Sequence, residues 1–210
     1  MIARQYDAIL FDFDGVLVDS EPVHFQCWAE ALKQLGIQVD WDTYVKYCIG
    51  IPDRQAVEFL CQRTDPPVDV ETAWAQYPRK QQLFRARMLE APPFSRNVID
   101  LIHSLSDYGL AVVTASARSE IEPLLERAGI RSRFGAVVCR EDVARNKPAP
   151  DPYLLAARLL GATRALVVED SEAGAASGRA AGFEVLRVAG PTVVSRLVLE
   201  RLQITAGRRP

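Results

Sequence analysis

The stretch ILFDFDGVLVDSE (residues 9–21) decides how the chain is read, because it drives an apolar strand straight into two carboxylates and a glycine. Burying a charge is costly unless something pairs with it. Asp12 and Asp14 stand two residues apart, so at an extended strand end both point the same way, and Gly15 lets the backbone turn closely around whatever they hold. Like charges this close need a cation. A second acidic pair, Glu169 and Asp170, ends the run ALVVED (165–170), whose carboxyl end should lie on the same face. Four carboxylates over one sheet edge, all oxygen donors, suit a hard octahedral ion such as Mg2+.

Outward from that stretch, short and nearly continuous apolar runs recur at AILFDF (8–13), LAVVTAS (110–116), GAVVC (135–139), ALVVED (165–170) and FEVLRV (183–188). Strands covered on both faces read this way, as in a parallel sheet. Helical patterns lie between the later runs, over 119–130, 151–162 and 172–183, with Gly129, Gly161 and Gly182 as their stops. The alternation predicts an α/β fold with a doubly wound, Rossmann-like parallel sheet. Residues 19–89 break the rhythm with successive helical patterns and no convincing strand, until the proline pair of APPFSRN (91–97) ends the last of them and Ser95 opens a new helix. The expected organisation is a core domain of residues 1–18 and 90–210, with a helical cap domain, 19–89, inserted after the first strand. Such an insert is a candidate lid over the carboxyl ends of the strands, where open α/β sheets bind ligands.

Composition excludes several classes. Lys plus Arg number 25 against 27 Asp plus Glu, a formal charge of -2, which leaves no broad basic surface for a nucleic-acid partner. Cys27, Cys48, Cys61 and Cys139 are scattered without a CxxC pair, so a reducing, cytoplasmic setting is expected. The opening MIARQYDAIL lacks the apolar region of a signal peptide, and no run approaches the roughly 18 apolar residues of a membrane helix. No membrane partner is expected.

Two other strand ends deliver chemistry to the same edge. LAVVTAS brings the hydroxyls Thr114 and Ser116, and NKPAPDPY (146–153) brings Lys147 ahead of prolines that stiffen its loop. Carboxylates, a metal, a hydroxyl and a lysine together describe phosphoryl transfer. The four carboxylates total -4 if ionised, and Mg2+ with Lys147 restores +3, so a dianionic phosphate still meets a repulsive site. One carboxyl is therefore expected to keep a proton while substrate is bound, with Asp14 the candidate.

DFDGVLVDSE, VVTASAR, NKPAPDPY and VVEDSEAG resemble, in order, the four motifs of the haloacid dehalogenase superfamily, and the resemblance spans nearly the whole chain. Within it the chain is similar to the β-phosphoglucomutase-like phosphatases, whose helical cap follows the first motif. The resemblance implies that Asp12 attacks phosphorus to form an aspartyl-phosphate, and that Asp14 protonates the leaving group and then activates water or an acceptor hydroxyl. It implies that Thr114 and Lys147 bind the transferring phosphoryl group, with Ala115 and Ser116 beside the substrate. Mg2+ is then held by Asp12, the Asp14 backbone carbonyl, Asp170 and Glu169. In the cap, His24, Arg54 and Lys80 resemble the residues that position the acid/base group or touch the distal part of the substrate. The chain departs from the pattern at PPFSRNV, where Arg96 and Asn97 replace a Pro-Gly pair. Trp28 and Trp41 are read as cap core.

The leading expectation is an enzyme: a Mg2+-dependent phosphomonoester hydrolase acting on a small phosphorylated metabolite of the sugar-phosphate kind, as a monomer or weak dimer. A β-phosphoglucomutase would use the same intermediate. A dehalogenase has no need of Asp14 and Asp170, and a phosphonatase would need a Schiff-base lysine such as Lys33, Lys46 or Lys80. A receiver-like switch or a non-catalytic phosphometabolite binder is the remaining class, and Asp14, as the group that turns the intermediate over, argues against a slow switch.

Overall fold

The computed structural model describes residues 5–49, 51 and 53–203. The chain forms two compact units, one built from the sequence up to residue 19 and from residue 92 onward, the other from residues 20–91. In chain order, β1 (Ala8–Phe11) is followed by the helices of the second unit: α1 (Glu21–Leu32), α2 (Trp41–Tyr47), α3 (Asp53–Gln62), α4 (Val70–Trp74) and α5 (Tyr77–Glu90). The first unit resumes with α6 (Arg96–Ser104), β2 (Gly109–Val113), α7 (Arg118–Arg127), β3 (Ala136–Val138) and α8 (Asp151–Leu160). It ends with β4 (Ala165–Glu169), α9 (Glu172–Ala180), β5 (Glu184–Arg187) and α10 (Pro191–Arg201).

Among the described residues, five strands form one parallel sheet in the order β3-β2-β1-β4-β5. Phe11 lies beside Val112 on one side and Val168 on the other, so β1 is central. Alternate residues of the strands, Leu10, Val113, Val138 and Val167 among them, pack with Tyr153, Ala156 and Ala157 of α8. The intervening set, Ile9, Phe11, Val112 and Val168, is equally buried. From β1 to β4 both faces are covered, which is why those strands read as continuous apolar runs, whereas β5, expected to be covered as well, lies at the sheet edge with Glu184 and Arg187 exposed. The strand order reverses between β1 and β4, the position where open α/β sheets bind ligands.

Local chemistry fixes the helix ends around the sheet. Ser95 caps α6 by accepting the Val98 N–H at 3.2 Å, and Ser171 caps α9 by accepting the Gly174 N–H at 3.0 Å. Gly161 ends α8 in the left-handed region, φ 63°. The Ser177 hydroxyl donates to the Ala149 carbonyl at 2.5 Å, tying α9 to the loop that carries Lys147.

The helical unit has its own apolar centre, formed around Trp28, Leu32, Tyr44, Val57 and Leu60. Trp28 is fully buried. Trp41 is not: it is 40% exposed, its ring lying at the edge against Phe25 and Tyr44. The reading of Trp41 as core fails because it opens a seven-residue helix directly after its Asp40 cap and reaches the cluster only from outside. No described helix is long and apolar enough to cross a membrane.

Candidate active site

Asp12 follows β1 directly, and its N–H donates to the Val168 carbonyl at 3.0 Å, which seats it beside β4. The residue is 8% exposed. Beyond it the Phe13 carbonyl accepts the N–H groups of Val16, Leu17 and Val18, closing a tight turn in which Gly15 takes φ +73°. A Cβ on Gly15 would sit 2.0 Å from Asp170 Oδ2. Glycine therefore serves twice, in the turn and in the approach of that carboxylate.

Lys147 organises the centre. Its Nζ donates to Asp12 Oδ1 at 2.6 Å, to Glu169 Oε1 at 2.6 Å and to the Val113 carbonyl at 2.9 Å, which uses all three ammonium protons. Glu169 is fully buried and equally well occupied. Its Oε1 also accepts the Tyr153 hydroxyl at 2.9 Å, while Oε2 accepts the Ser171 N–H at 3.0 Å and the Ser171 hydroxyl at 2.9 Å. A Cβ on Gly174 would overlap this carboxylate, so the first turn of α9 is built around it.

The end of β2 supplies the hydroxyls. The Thr114 N–H donates to the Val138 carbonyl at 2.9 Å, and Thr114 Oγ1 accepts the Ser116 N–H at 3.0 Å, leaving its own proton to donate elsewhere. The Ser116 hydroxyl donates to Asp14 Oδ2 at 3.1 Å. Ala115 lies exposed between them. The structure thus brings Asp12, Asp14, Ser116, Lys147, Glu169 and Asp170 into one connected group, with Thr114 and Ala115 adjoining it.

One carboxylate oxygen each from Asp12, Glu169 and Asp170 lie within 4.8 Å of one another. Burial pushes the Asp12 carboxyl up to about 7, with the charges of Glu169 and Asp14 adding and Lys147 opposing. Asp170 is raised as well, by burial first and then by Glu169. For Lys147 burial pulls downward, and Asp12 and Glu169 together outweigh it. Burial would also raise Glu169, but the Lys147 ammonium and the Ser171 and Tyr153 donors hold it below the usual range. A buried acidic cluster with one ammonium is short of positive charge. Its oxygen donors fit a hard divalent cation.

In the helical unit, the structure brings His24 and Lys80 together and leaves Arg54 elsewhere. Lys80 is 3% exposed, donates to Asp53 Oδ2 at 3.1 Å, and lies 5.3 Å from the ring centroid of Trp28 and 5.6 Å from that of Phe84. The His24 ring stacks on Phe84 at 4.0 Å. Burial, with the Lys80 charge, lowers His24 to about 4, so it is neutral at pH 7. Arg54 instead pairs with Glu71 and, at 3.6 Å, with Glu58 on the surface. Sequence reasoning missed Tyr153, Ser171 and Asp53. The signal for Ser171 was present, since a serine after a strand and before a helical pattern is a cap.

The sequence model of the haloacid dehalogenase-like hydrolases matches residues 9–188. The chain belongs to this family. A fructose-1-phosphate phosphatase of Escherichia coli strain K12 is 31% identical over 189 residues, covering 88% of this chain and 97% of that protein. A β-phosphoglucomutase of Mycobacterium bovis is 32% identical over 210 residues, 85% of this chain and 79% of its own. Among solved structures, a hydrolase of subfamily IA from Geobacter sulfurreducens superposes with a TM-score of 0.79, covering 95% of this chain and 98% of that chain at 22% identity. That likeness carries the fold alone. As a haloacid dehalogenase-like hydrolase, the chain is an enzyme of the phosphatase and phosphoglucomutase kind.

Proposed function

We propose that this chain is a Mg2+-dependent phosphomonoester hydrolase for a small sugar phosphate, working through an aspartyl-phosphate on Asp12. The observation that carries the reading is the Lys147 ammonium, 2.6 Å from the Asp12 carboxylate at the strand-order reversal, with Asp14 and Asp170 beside it. Asp12 attacks phosphorus and the ester P–O bond breaks, while Asp14 gives its proton to the departing oxygen. Asp14 then takes a proton from water as that water attacks the phosphoryl group, and inorganic phosphate leaves with Asp12 restored. Lys147 follows the charge. As Asp12 becomes an acyl phosphate its Oδ1 loses negative charge, and the N–H that held it turns to a phosphoryl oxygen, joined there by the Thr114 hydroxyl.

Asp12, Asp170 and the Asp14 backbone carbonyl would hold Mg2+, which when bound supplies positive charge against the carboxylates and the phosphoryl oxygens. Glu169 closes the acidic cluster, but its oxygens already accept four hydrogen bonds, so its part is to hold Lys147. Gly15→Ala tests this assignment, because the new Cβ displaces the Asp170 carboxylate. Mg2+ affinity measured by calorimetry should weaken by about tenfold or more, with about 1–2 kcal/mol of stability lost to the left-handed backbone. Unchanged Mg2+ affinity would remove Asp170 from the set.

The sugar-phosphate class draws on the relative that is a fructose-1-phosphate phosphatase. Transfer to a second sugar hydroxyl, as in the β-phosphoglucomutase relative, would need a cation for a second phosphate. The two cap cations in question each meet carboxylates of their own unit, Lys80 with Asp53 and Arg54 with Glu71 and Glu58. That favours hydrolysis. Phosphate release from a panel of sugar monophosphates, with Mg2+ or with chelator, is the test. Mg2+-dependent release is expected, and silence on the panel with turnover only in the presence of a sugar bisphosphate would replace the hydrolase by the mutase.

A further inference from the structure

Tyr153 stands fully buried in the first turn of α8, and a phenol in such a place needs an acceptor. It finds Glu169 Oε1 at 2.9 Å, the same oxygen that accepts Lys147 at 2.6 Å. The ammonium also lies 5.1 Å from the centroid of the tyrosine ring, so ring and hydroxyl together border it. From there the chain of contacts runs through Lys147 to Asp12 Oδ1.

The geometry points to Tyr153 as a positioning residue for phosphoryl transfer: its hydroxyl fixes the Glu169 carboxylate, and thereby fixes where Lys147 meets the nucleophile. The inference rests on the reading of Asp12 as that nucleophile. All three Lys147 protons are engaged, so to follow the charge from Asp12 onto the phosphoryl oxygens the ammonium has to swing about its two remaining acceptors, Glu169 Oε1 and the Val113 carbonyl. The hydroxyl holds one of these still. Without it, Glu169 Oε1 has the ammonium alone to face, and draws Lys147 away from Asp12. A displaced cation weakens a transition state, where charge is moving, more than it weakens a bound ground state.

Tyr153→Phe keeps the ring and removes the hydroxyl. Steady-state kinetics should show kcat lowered by about 5–20-fold with KM within about twofold. Orthovanadate, which takes the five-coordinate geometry of the transferring group, should bind more weakly by the factor lost in kcat/KM, whereas inorganic phosphate should bind within about twofold of the parent value. A protein carrying 3-fluorotyrosine at position 153 keeps both ring and donor and should recover kcat to within about threefold. A Phe variant with kcat and vanadate affinity matching the parent overturns the positioning role. So does a fluorotyrosine protein that remains as slow as the Phe variant. Parent activity that Asp12→Asn abolishes stands in either case, so such a result removes the role of Tyr153 and leaves the phosphatase reading intact.

Discussion

Asp12→Asn should abolish phosphate release, by about 10^4-fold or more, while the protein unfolds at the same denaturant concentration as the parent or a higher one. The amide keeps the shape of the carboxylate and its place at the end of β1, where the backbone bond to Val168 is untouched. It no longer offers a nucleophilic oxygen anion. On stability, burial raises the Asp12 carboxyl to about 7 against the opposing Lys147 ammonium, with smaller contributions from Glu169 and Asp14. A carboxyl whose folded pKa lies above its unfolded value opposes folding increasingly as pH rises through that interval, so removing the charge relieves the folded state near neutrality. Parent and variant should therefore be compared by urea unfolding without divalent cations. A stability loss above about 1 kcal/mol would contradict the charge balance drawn around Asp12.

Lys147→Met should act in the opposite sense on stability and in the same sense on activity. The substitution leaves Glu169, fully buried, and Asp12 without the ammonium that both contact at 2.6 Å. Breaking a buried ion pair by removing one partner costs about 3–5 kcal/mol, a large part of the stability of an ordinary domain. The orphaned carboxyls can escape part of this by keeping protons, because burial and mutual repulsion then dominate their ionisation. With their folded pKa values raised, the deficit of the variant grows as pH rises from the ordinary carboxylate range toward 8. Urea unfolding of parent and variant at pH 5 and pH 8, in chelator, measures this. The deficit should be larger at pH 8, and a pH-independent deficit below about 1 kcal/mol would contradict the arrangement drawn around Lys147. Turnover should fall by about 10^2-fold or more, since the same group follows the transferred charge.

The parts of this molecule legible in its sequence are those set by local rules. Ala8–Phe11 and Ala165–Glu169 read as strands because both faces of the sheet are covered, so no polar residue interrupts them. Gly161 and Ser95 announced helix ends through the backbone geometry and hydrogen bonds that those residue types supply. Asp12, Asp14 and Gly15 converge because they lie on one strand end, and Glu169 and Asp170 join them because parallel strands place all their carboxyl ends on one edge. What stayed hidden depends on packing between separate elements. Nothing local to Tyr153 says that its hydroxyl reaches a carboxylate sixteen residues on, buried beneath the sheet edge. The pairing of Lys80 with Asp53 likewise joins two helices of the second unit, turning an apparent free cation into a neutralised one. Trp41 differed from Trp28 for the same reason: burial depends on which side of a short helix faces the cluster, and the residue type alone does not determine it.

The most direct measurement is to trap the intermediate. Enzyme turning over a sugar monophosphate would be acid-quenched, reduced with borohydride, and its peptides sequenced by mass spectrometry. An acyl phosphate at Asp12 is reduced to homoserine while free carboxylates are untouched, so homoserine at position 12, dependent on substrate and absent in Asp12→Asn, is the expected result. Substrate consumption with an unmodified Asp12 peptide, or with reduction at another carboxylate, would contradict the account.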